Sequence, residues 1–372
     1  MAAADSAASV GGKRFTADKV FEVLDGKPVC MMAYGMADIC TVPVEVVVEE
    51  YRRSRAGLSF PTIEAVAKDF EKFLDSDECL SITERHRQIH AANMLRRCVT
   101  ELTRRAREDG IEDRDLVGYL SWTLHELEAE TGHESSPEEA EWLEGCADAT
   151  GDSEQMQGNR IWRNGKARDM AVRIATVMPY SEDNARYTGL VFAGYGDDER
   201  MPGYCEYHIT GISKGGILRN DGSSGGIDAG KRSCILSYAR DDVARSLVDG
   251  MNPQIRDIVL SMVLETIRRS IRKINTPTTA RDIELKQSDR IEIVNGIMET
   301  FDQILYDGFR NPMEDVVSHL HLTEMTALAG IMIMATAACL HISWDFESVG
   351  GPIDIVNVTR QHGFRWVERD KY

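Results

Sequence analysis

The sequence predicts an α+β protein in which antiparallel sheets are layered with helices. Strand patterns occur in hairpin-like groups near both ends and in the middle of the chain, and they do not alternate one by one with helices. Long stretches with apolar residues at helical spacing separate these groups. The chain has 372 residues, which is enough to bury a sizeable core.

The first strands predict a β-hairpin that leads into a helix. Val20–Leu24 alternates in polarity, Asp25-Gly26 is a tight-turn signal, and Val29–Ala33 is a continuous apolar run. A continuous run of this kind is typical of a strand that is buried on both faces. Val44–Ser54 should then be helical, because its apolar residues recur at i, i+3, i+4 and i+7.

The rest of the chain divides into a helical insertion and further core elements. Residues 61–179 read as an acidic helical insertion, whereas 1–60 and 180–372 should form the core with elongated helices. The further elements are predicted as strands at Gly189–Ala193, Cys205–Thr210 and Ser233–Ser237, helices over 253–274, 290–306 and 322–340, and a closing hairpin over 352–367.

Composition narrows the possible partners and location. Asp and Glu total 61 against 43 Lys and Arg, for a net charge of −18, which disfavours nucleic acid. The longest apolar run, Gly330–Leu340, is shorter than a membrane span, so no membrane partner is expected. Eight scattered cysteines without a CxxC pair, and no secretion signal, indicate reduced thiols and a cytoplasmic protein.

Several motifs point only weakly to a cofactor or metal. Gly225–Arg232 nearly spells a phosphate-binding loop, but Arg232 replaces the required hydroxyl residue and no helix should follow. Nucleotide binding there stays a minor alternative. His86 and His90 are four residues apart, yet flanking arginines and the missing glutamate of HExxH disfavour a metal. We therefore expect neither a metal nor a cofactor.

Three short segments and the C-terminal region carry a family resemblance. The segments are Ala3-Ala4-Asp5-Ser6, Asp18-Lys19-Val20 and Tyr34-Gly35-Met36-Ala37-Asp38, and the C-terminal one is Ser348-Val-Gly350-Gly351 with the strand after it. Phe192–Gly196 adds a central strand and turn. In this order they resemble the β-type subunits of the proteasome and their bacterial relatives, which are N-terminal-nucleophile hydrolases. The resemblance covers about residues 1–54, 188–214 and the last 30 or so.

The resemblance implies a fold and a reaction. The fold is an αββα sandwich of antiparallel sheets, enlarged here by helical insertions. The reaction is amide-bond hydrolysis by a threonine-type peptidase, in which an N-terminal hydroxyl attacks and its own α-amine acts as the base. That amine has a pKa of about 7.7–8.0, which suits proton transfer near neutral pH. Peptides or proteins are the implied substrates, with a homo-oligomer and a possible ATPase partner.

The same resemblance assigns roles to individual residues. Asp5 would orient the lysine, Lys19 would lower the pKa of the nucleophile, and Ser348 would support the site from the far end of the chain. Backbone groups at Tyr34 and Gly35 would stabilise the oxyanion, with support from Gly350.

The chain departs from the family pattern in two places. The family has Gly-Gly where Tyr34-Gly35 stands, a change that a backbone donor tolerates. The nucleophile should lie about 15 residues before Asp5, but only four residues precede it, and Ala2 has no hydroxyl or thiol. We expect the first strand to be missing and these residues to be inactive alone. The alternative is a non-catalytic member of the fold that serves assembly or partner binding.

Overall fold

A computed structural model describes residues 1–10, 13–181, 186–228, 230–239, 242–274, 287–342 and 349–369. It is mixed α/β with antiparallel sheets, compatible with the predicted α+β class. The chain divides into two compact units. We call residues 18–226 and 358–365 the central unit, and residues 1–17, 227–357 and 366–372 the terminal unit.

The described residues form twelve strands and thirteen α-helices. The strands are β1 Ala2–Asp5, β2 Ala7–Val10, β3 Lys13–Thr16, β4 Val20–Glu22, β5 Val29–Gly35, β6 Asp38–Ile39, β7 Val42–Pro43, β8 Thr188–Gly194, β9 Gly203–Ser213, β10 Gly216–Gly226, β11 Ile353–Thr359 and β12 Gly363–Glu368. The helices are α1 Val44–Ser54, α2 Ile63–Leu74, α3 Glu84–Glu108, α4 Leu116–Thr131, α5 Pro137–Thr150, α6 Asp152–Met156, α7 Arg160–Arg163, α8 Gly165–Val177, α9 Asp242–Asp249, α10 Pro253–Ile274, α11 Gln287–Leu305, α12 Asn311–Val317 and α13 Leu322–Ile342.

The central unit is built on a five-stranded antiparallel sheet with the order β10-β9-β8-β5-β4. The predicted hairpin around Asp25-Gly26 is confirmed, because Val20 pairs with Met32 and Glu22 pairs with Cys30. Strand β5 then pairs with β8 along its whole length, from Val29 to Gly35. This long register aligns the C-terminal end of β5 with the first residue of β8.

The helices cover one face of this sheet. Successive side chains of a strand point to opposite faces, and those of Met31, Phe192 and Tyr207 join the buried apolar cluster with α2. The Phe70 ring of α2 lies 5.5 Å from that of Phe192, and the Phe192 ring lies 5.8 Å from that of Tyr207. Burying these rings removes a large apolar area from water, which stabilises the layer of helix on sheet.

The predicted helical insertion is helical in the structure and belongs to the central unit. Helices α3, α4, α5 and α8 pack on one another, and α3 also packs on β9. The apolar stripes explain this packing, because Leu116, Leu120 and Leu124 recur every four residues and are all buried.

The terminal unit contains β1, residues 353–357 of β11, residues 366–368 of β12, the β2–β3 hairpin and the helices α9–α13. Strand β1 pairs antiparallel with β11, and Ala2 lies opposite Val356. Helix α13 packs against β1, and a Cβ placed on Gly330 would contact Ile355 Cδ1 at 3.8 Å. The chain's first strand is therefore held by its last strands.

Helix α13 corrects the sequence-based view that the apolar run at Gly330–Leu340 is too short. The helix has 21 residues, and its most apolar 18-residue window has a mean hydropathy of 1.8 with 17% buried. Leucine, methionine, threonine and alanine residues that precede Gly330 extend the apolar stretch beyond the run. By length and composition alone, this helix is long and apolar enough to cross a membrane.

One predicted strand and one predicted loop near the middle of the chain differ from the structure. Ser233–Ser237 is not a strand, whereas the polar Asn220–Ser224, which reads as a loop, lies within β10. The register of β10 shifts between Asp221 and Ser224. A Cβ at Gly222 would lie 2.5 Å from Glu206 Cγ, so this glycine leaves room for a charged side chain on β9.

Candidate functional site

In the terminal unit, the structure joins Asp5 to the C-terminal glycine segment. Gly350 N donates a hydrogen bond to Asp5 Oδ2 at 2.9 Å, and Ala7 N donates to the same oxygen at 3.1 Å. Gly350 has a φ of 144°, a backbone conformation that favours glycine. Ser6 reinforces the junction, because its N and Oγ both lie 3.0 Å from Pro352 O. The carboxylate of Asp5 therefore binds two segments far apart in sequence.

Replacement of Asp5 tests this junction. Asp5→Ala should lower the free energy of unfolding by about 2 kcal/mol, because the buried N–H of Ala7 and the partly buried N–H of Gly350 lose their carboxylate acceptor. Asp5→Asn is the matched control, since it keeps an oxygen that can accept, and it should cost about half as much. Urea denaturation measures both values, and equal costs for the two variants would contradict an acceptor role.

In the central unit, the end of β5 is closely confined. Gly35 has a φ of 80° and lies opposite Thr188. A Cβ at this position would overlap the carbonyl oxygen of Tyr187, which itself accepts a hydrogen bond from Met36 N at 2.9 Å. Only glycine therefore fits the position assigned to an oxyanion donor.

Beside Gly35, a polar cluster occupies the sheet face opposite the helices. We call Tyr34, Glu206, His208 and Ser223 the Glu206 cluster. Tyr34 Oη donates to Glu206 Oε1, and His208 Nε2 lies 2.9 Å from Tyr34 Oη and 3.2 Å from Glu206 Oε1. Ser223 donates to Glu206 Oε2 through N at 2.9 Å and Oγ at 2.7 Å.

Hydrogen bonding has a larger effect than burial on the pKa of Glu206, at the centre of the Glu206 cluster. Burial by itself raises the pKa of Glu206, but hydrogen bonds from His208, Tyr34 and Ser223 lower it to about 2. Burial and the bond to Glu206 raise the pKa of Tyr34 well above its usual value. Glu206 is thus a buried carboxylate, 8% exposed, beside a neutral tyrosine at neutral pH.

The predicted site residues fall in both units. Asp5 and Gly350 belong to the terminal unit, where they are in contact, and Lys19, Tyr34 and Gly35 belong to the central unit. Lys19 immediately precedes β4, and its carbonyl oxygen accepts a hydrogen bond from Ala33 N at 2.8 Å. Ser348 lies outside the described residues.

Sequence reasoning missed Glu206 and His208. Both lie within the predicted strand Cys205–Thr210, two residues apart, which is the spacing that places side chains on one face. That alternation was a usable signal, but their partner Tyr34 is 172 residues from Glu206. Only the pairing of β5, β8 and β9 brings the two residues together.

Residues of the weaker motifs form hydrogen bonds within their own segments. At the near-match to a phosphate-binding loop, Gly230 N and Lys231 N donate to Asp228 Oδ1 at 2.7 and 2.8 Å, so these donors already have an acceptor. His86 Nδ1 lies 2.9 Å from Thr83 Oγ1 at the start of α3. Within the residues that the structure describes, there is no group of three His, Cys, Asp or Glu side chains placed to hold a metal ion.

Comparison with known proteins adds no relative: neither a scan of protein-family models nor searches of curated proteins and of solved structures found a match.

Proposed function

We propose that this chain forms the body of a threonine-type peptidase of the N-terminal-nucleophile class, similar to proteasome β subunits. The observation that carries the proposal is the hydrogen bond from Gly350 N to Asp5 Oδ2. The resemblance treats these two segments as parts of one site, although 345 residues separate them. Nothing in the local sequence of either segment requires them to meet.

The arrangement of residues at the C-terminal end of β5 is a second observation that supports the proposed peptidase. An amide-hydrolysing site needs a rigid backbone donor for the oxyanion that forms when the nucleophile attacks the carbonyl carbon. Gly35 is fixed by its positive φ and by the Tyr187 carbonyl, and the Glu206 cluster anchors the neighbouring Tyr34. The proposal also includes an αββα arrangement of sheets and helices and a cytoplasmic location.

The proposed chemistry requires a nucleophile on a strand ahead of Asp5. In the reaction, an N-terminal hydroxyl oxygen attacks the substrate carbonyl, and its proton passes to the α-amine. The amine then protonates the leaving nitrogen, and water releases the acyl group from the hydroxyl. The family resemblance assigns the supply of positive charge near the nucleophile to Lys19 and the orientation of that lysine to Asp5.

Covalent labelling tests this function. The protein is expressed from its own full coding sequence, its N-terminal residue is identified by mass spectrometry, and it is treated with a hydroxyl-directed electrophilic peptide. We expect an N-terminal Thr, Ser or Cys carrying one label per chain, and Lys19→Met should slow labelling at least 100-fold. Lys72→Met, at an exposed position near the end of α2, is the matched control and should label normally. An N-terminal Ala2 without label would refute the peptidase.

A specific observation favours a second candidate, a non-catalytic assembly role. Helices α10 and α13 of the terminal unit expose large apolar side chains, which typically mark interaction surfaces when they are contiguous. Examples are Ile258, Met262, Ile331 and Met334, each more than half exposed. This candidate expects an oligomer without labelling, so the mass of the unlabelled protein in solution distinguishes it, and a single-chain mass would contradict it.

A further inference from the structure

One face of helix α3 carries two basic side chains to the Gly35 end of the central sheet. His90, Met94 and Arg97 are spaced by three and four residues, so they share a face. Met94 marks where this face meets the sheet, because a Cβ at Gly211 of β9 would lie 3.0 Å from Met94 Sδ. His90 and Arg97 flank that contact, one turn away on either side.

Hydrogen bonds and strand register place further charged residues at this end. Gly35 pairs with Thr188, whose Oγ1 donates to the Asp38 carbonyl oxygen at 2.6 Å. Arg186 precedes Thr188 by two residues and is exposed. Asp38 and Arg186 both lie close enough to Arg97 to act on it electrostatically. Arg97, Arg186 and Asp38 therefore lie at the same end of the central sheet as Gly35, the position assigned to the oxyanion donor.

Positive charge in this cluster is not fully neutralised. Arg97 is partly buried, and its one hydrogen bond among the described residues runs from Nε to Asn93 O at 3.0 Å. No ion pair reaches it from the described part of the chain. Arg87 of the same helix differs, since it pairs with Asp75 and donates to Leu74 O. A partly buried guanidinium without a carboxylate partner is costly, and an incoming anion would relieve that cost.

Asp38 and His90 both lie near Arg97, but neither neutralises the positive charge at this end of the sheet. Asp38 Oδ1 accepts a hydrogen bond from Thr41 N at 3.0 Å, which ties this carboxylate to its own turn. Burial and the charge of Arg97 lower the pKa of His90 to about 4, so this histidine is neutral at pH 7. The two arginines therefore remain the positively charged groups at this end of the sheet, with a neutral imidazole near Arg97.

We propose that Arg97 and Arg186 bind a carboxylate of a peptide beside Gly35. A guanidinium presents parallel N–H donors that match the two oxygens of a carboxylate, which makes this ligand class the best fit. The carboxylate has two sources, an acidic side chain or the C-terminus of a peptide. A role of this arginine site in selecting substrates rests on the proposed peptidase function, whereas binding of the carboxylate itself does not.

Calorimetric titration of the whole chain with three matched peptides tests the site. Acetyl-Ala-Ala-Glu-amide presents a side-chain carboxylate, acetyl-Ala-Ala-Gln with a free C-terminus presents a terminal one, and acetyl-Ala-Ala-Gln-amide presents neither. We expect at least one acid to bind about tenfold more tightly than the neutral amide, because a charge-assisted pair contributes about that factor. The tighter of the two acids identifies the source.

Charge-removing variants assign the binding to the two arginines. Arg97→Gln should abolish the preference for acid, and Arg186→Gln should reduce it about threefold or more, since Arg186 is exposed and better screened. Arg107→Gln removes the same charge from an exposed position farther along α3 and should leave the preference intact. Thermal unfolding checks that each variant is folded, and the exposed Arg186 provides the test if Arg97→Gln does not fold.

Distinct outcomes separate this proposal from the peptidase proposal. Equal affinity for all three peptides, or an unchanged preference in both arginine variants, would overturn the carboxylate site even if covalent labelling succeeds. A preference for acid that disappears in Arg97→Gln would support the site even if labelling fails.

Discussion

Gly35→Ala is expected to lower the free energy of unfolding by about 4 kcal/mol. Part of the cost is the positive φ of 80°, which an alanine adopts only with strain. The larger part is steric, because the added Cβ would overlap the Tyr187 carbonyl oxygen and push β5 away from β8. Urea denaturation followed by circular dichroism measures the loss.

Gly26→Ala is the matched control for this prediction. Gly26 has a similar φ of 67° in the turn between β4 and β5, but no atom lies within 4 Å of the position its Cβ would take. It should therefore cost only the conformational strain, about 1 kcal/mol. If the two variants lose equal stability, the close approach of Tyr187 to Gly35 is not the cause.

Glu206→Gln should lower the free energy of unfolding by about 3 kcal/mol at pH 7. Gln has nearly the same shape, but it loses the charge that strengthens the hydrogen bonds from Tyr34, His208 and Ser223. Its amide NH₂ would also face a donor on one side. Glu126→Gln, on the exposed surface of α4, removes the same charge and should change stability by less than about 0.5 kcal/mol.

The cost of Glu206→Gln should also depend on pH in a defined direction. The folded-state pKa of Glu206 is lowered to about 2, below the value of about 4.3 expected in the unfolded chain. The stabilisation by the ionised form is thus complete above about pH 4.5 and is lost as the pH falls towards 2. Unfolding measured from pH 7 to pH 3 should show the wild type losing its advantage below pH 4.5. A constant difference across this range would contradict the role of ionised Glu206.

Local sequence patterns were sufficient to predict the elements whose own residues determine their structure. Helix α1 begins and ends at the predicted residues, because the apolar spacing of Val44, Val47, Val48 and Tyr51 sets its buried face. The hairpin around Gly26 follows from two strand patterns and a turn signal. Strand β10 could not be predicted in this way, since its glycine and serine residues read as loop and its pairing depends on β9.

The residues of the candidate site also divide into those that the sequence could predict and those that only the structure identifies. Its predicted residues Asp5 and Gly350 could be selected from the sequence only through a resemblance, and their contact became visible only in the fold. Glu206, His208 and Arg97 carry no motif at all. Their side chains acquire a role because strand order and helix packing bring distant segments together in a partly buried setting, where unpaired charge is costly.

The sequence by itself determined the antiparallel α+β character, most helix positions and the turn residues, because spacing and backbone preference act within a few residues. Tertiary structure alone decided the junction of Asp5 with the C-terminal segment, the Glu206 cluster and the surroundings of Arg97. The physical reason is that hydrogen bonding, desolvation and charge pairing depend on distance in space, and these partners are separated by many residues along the chain.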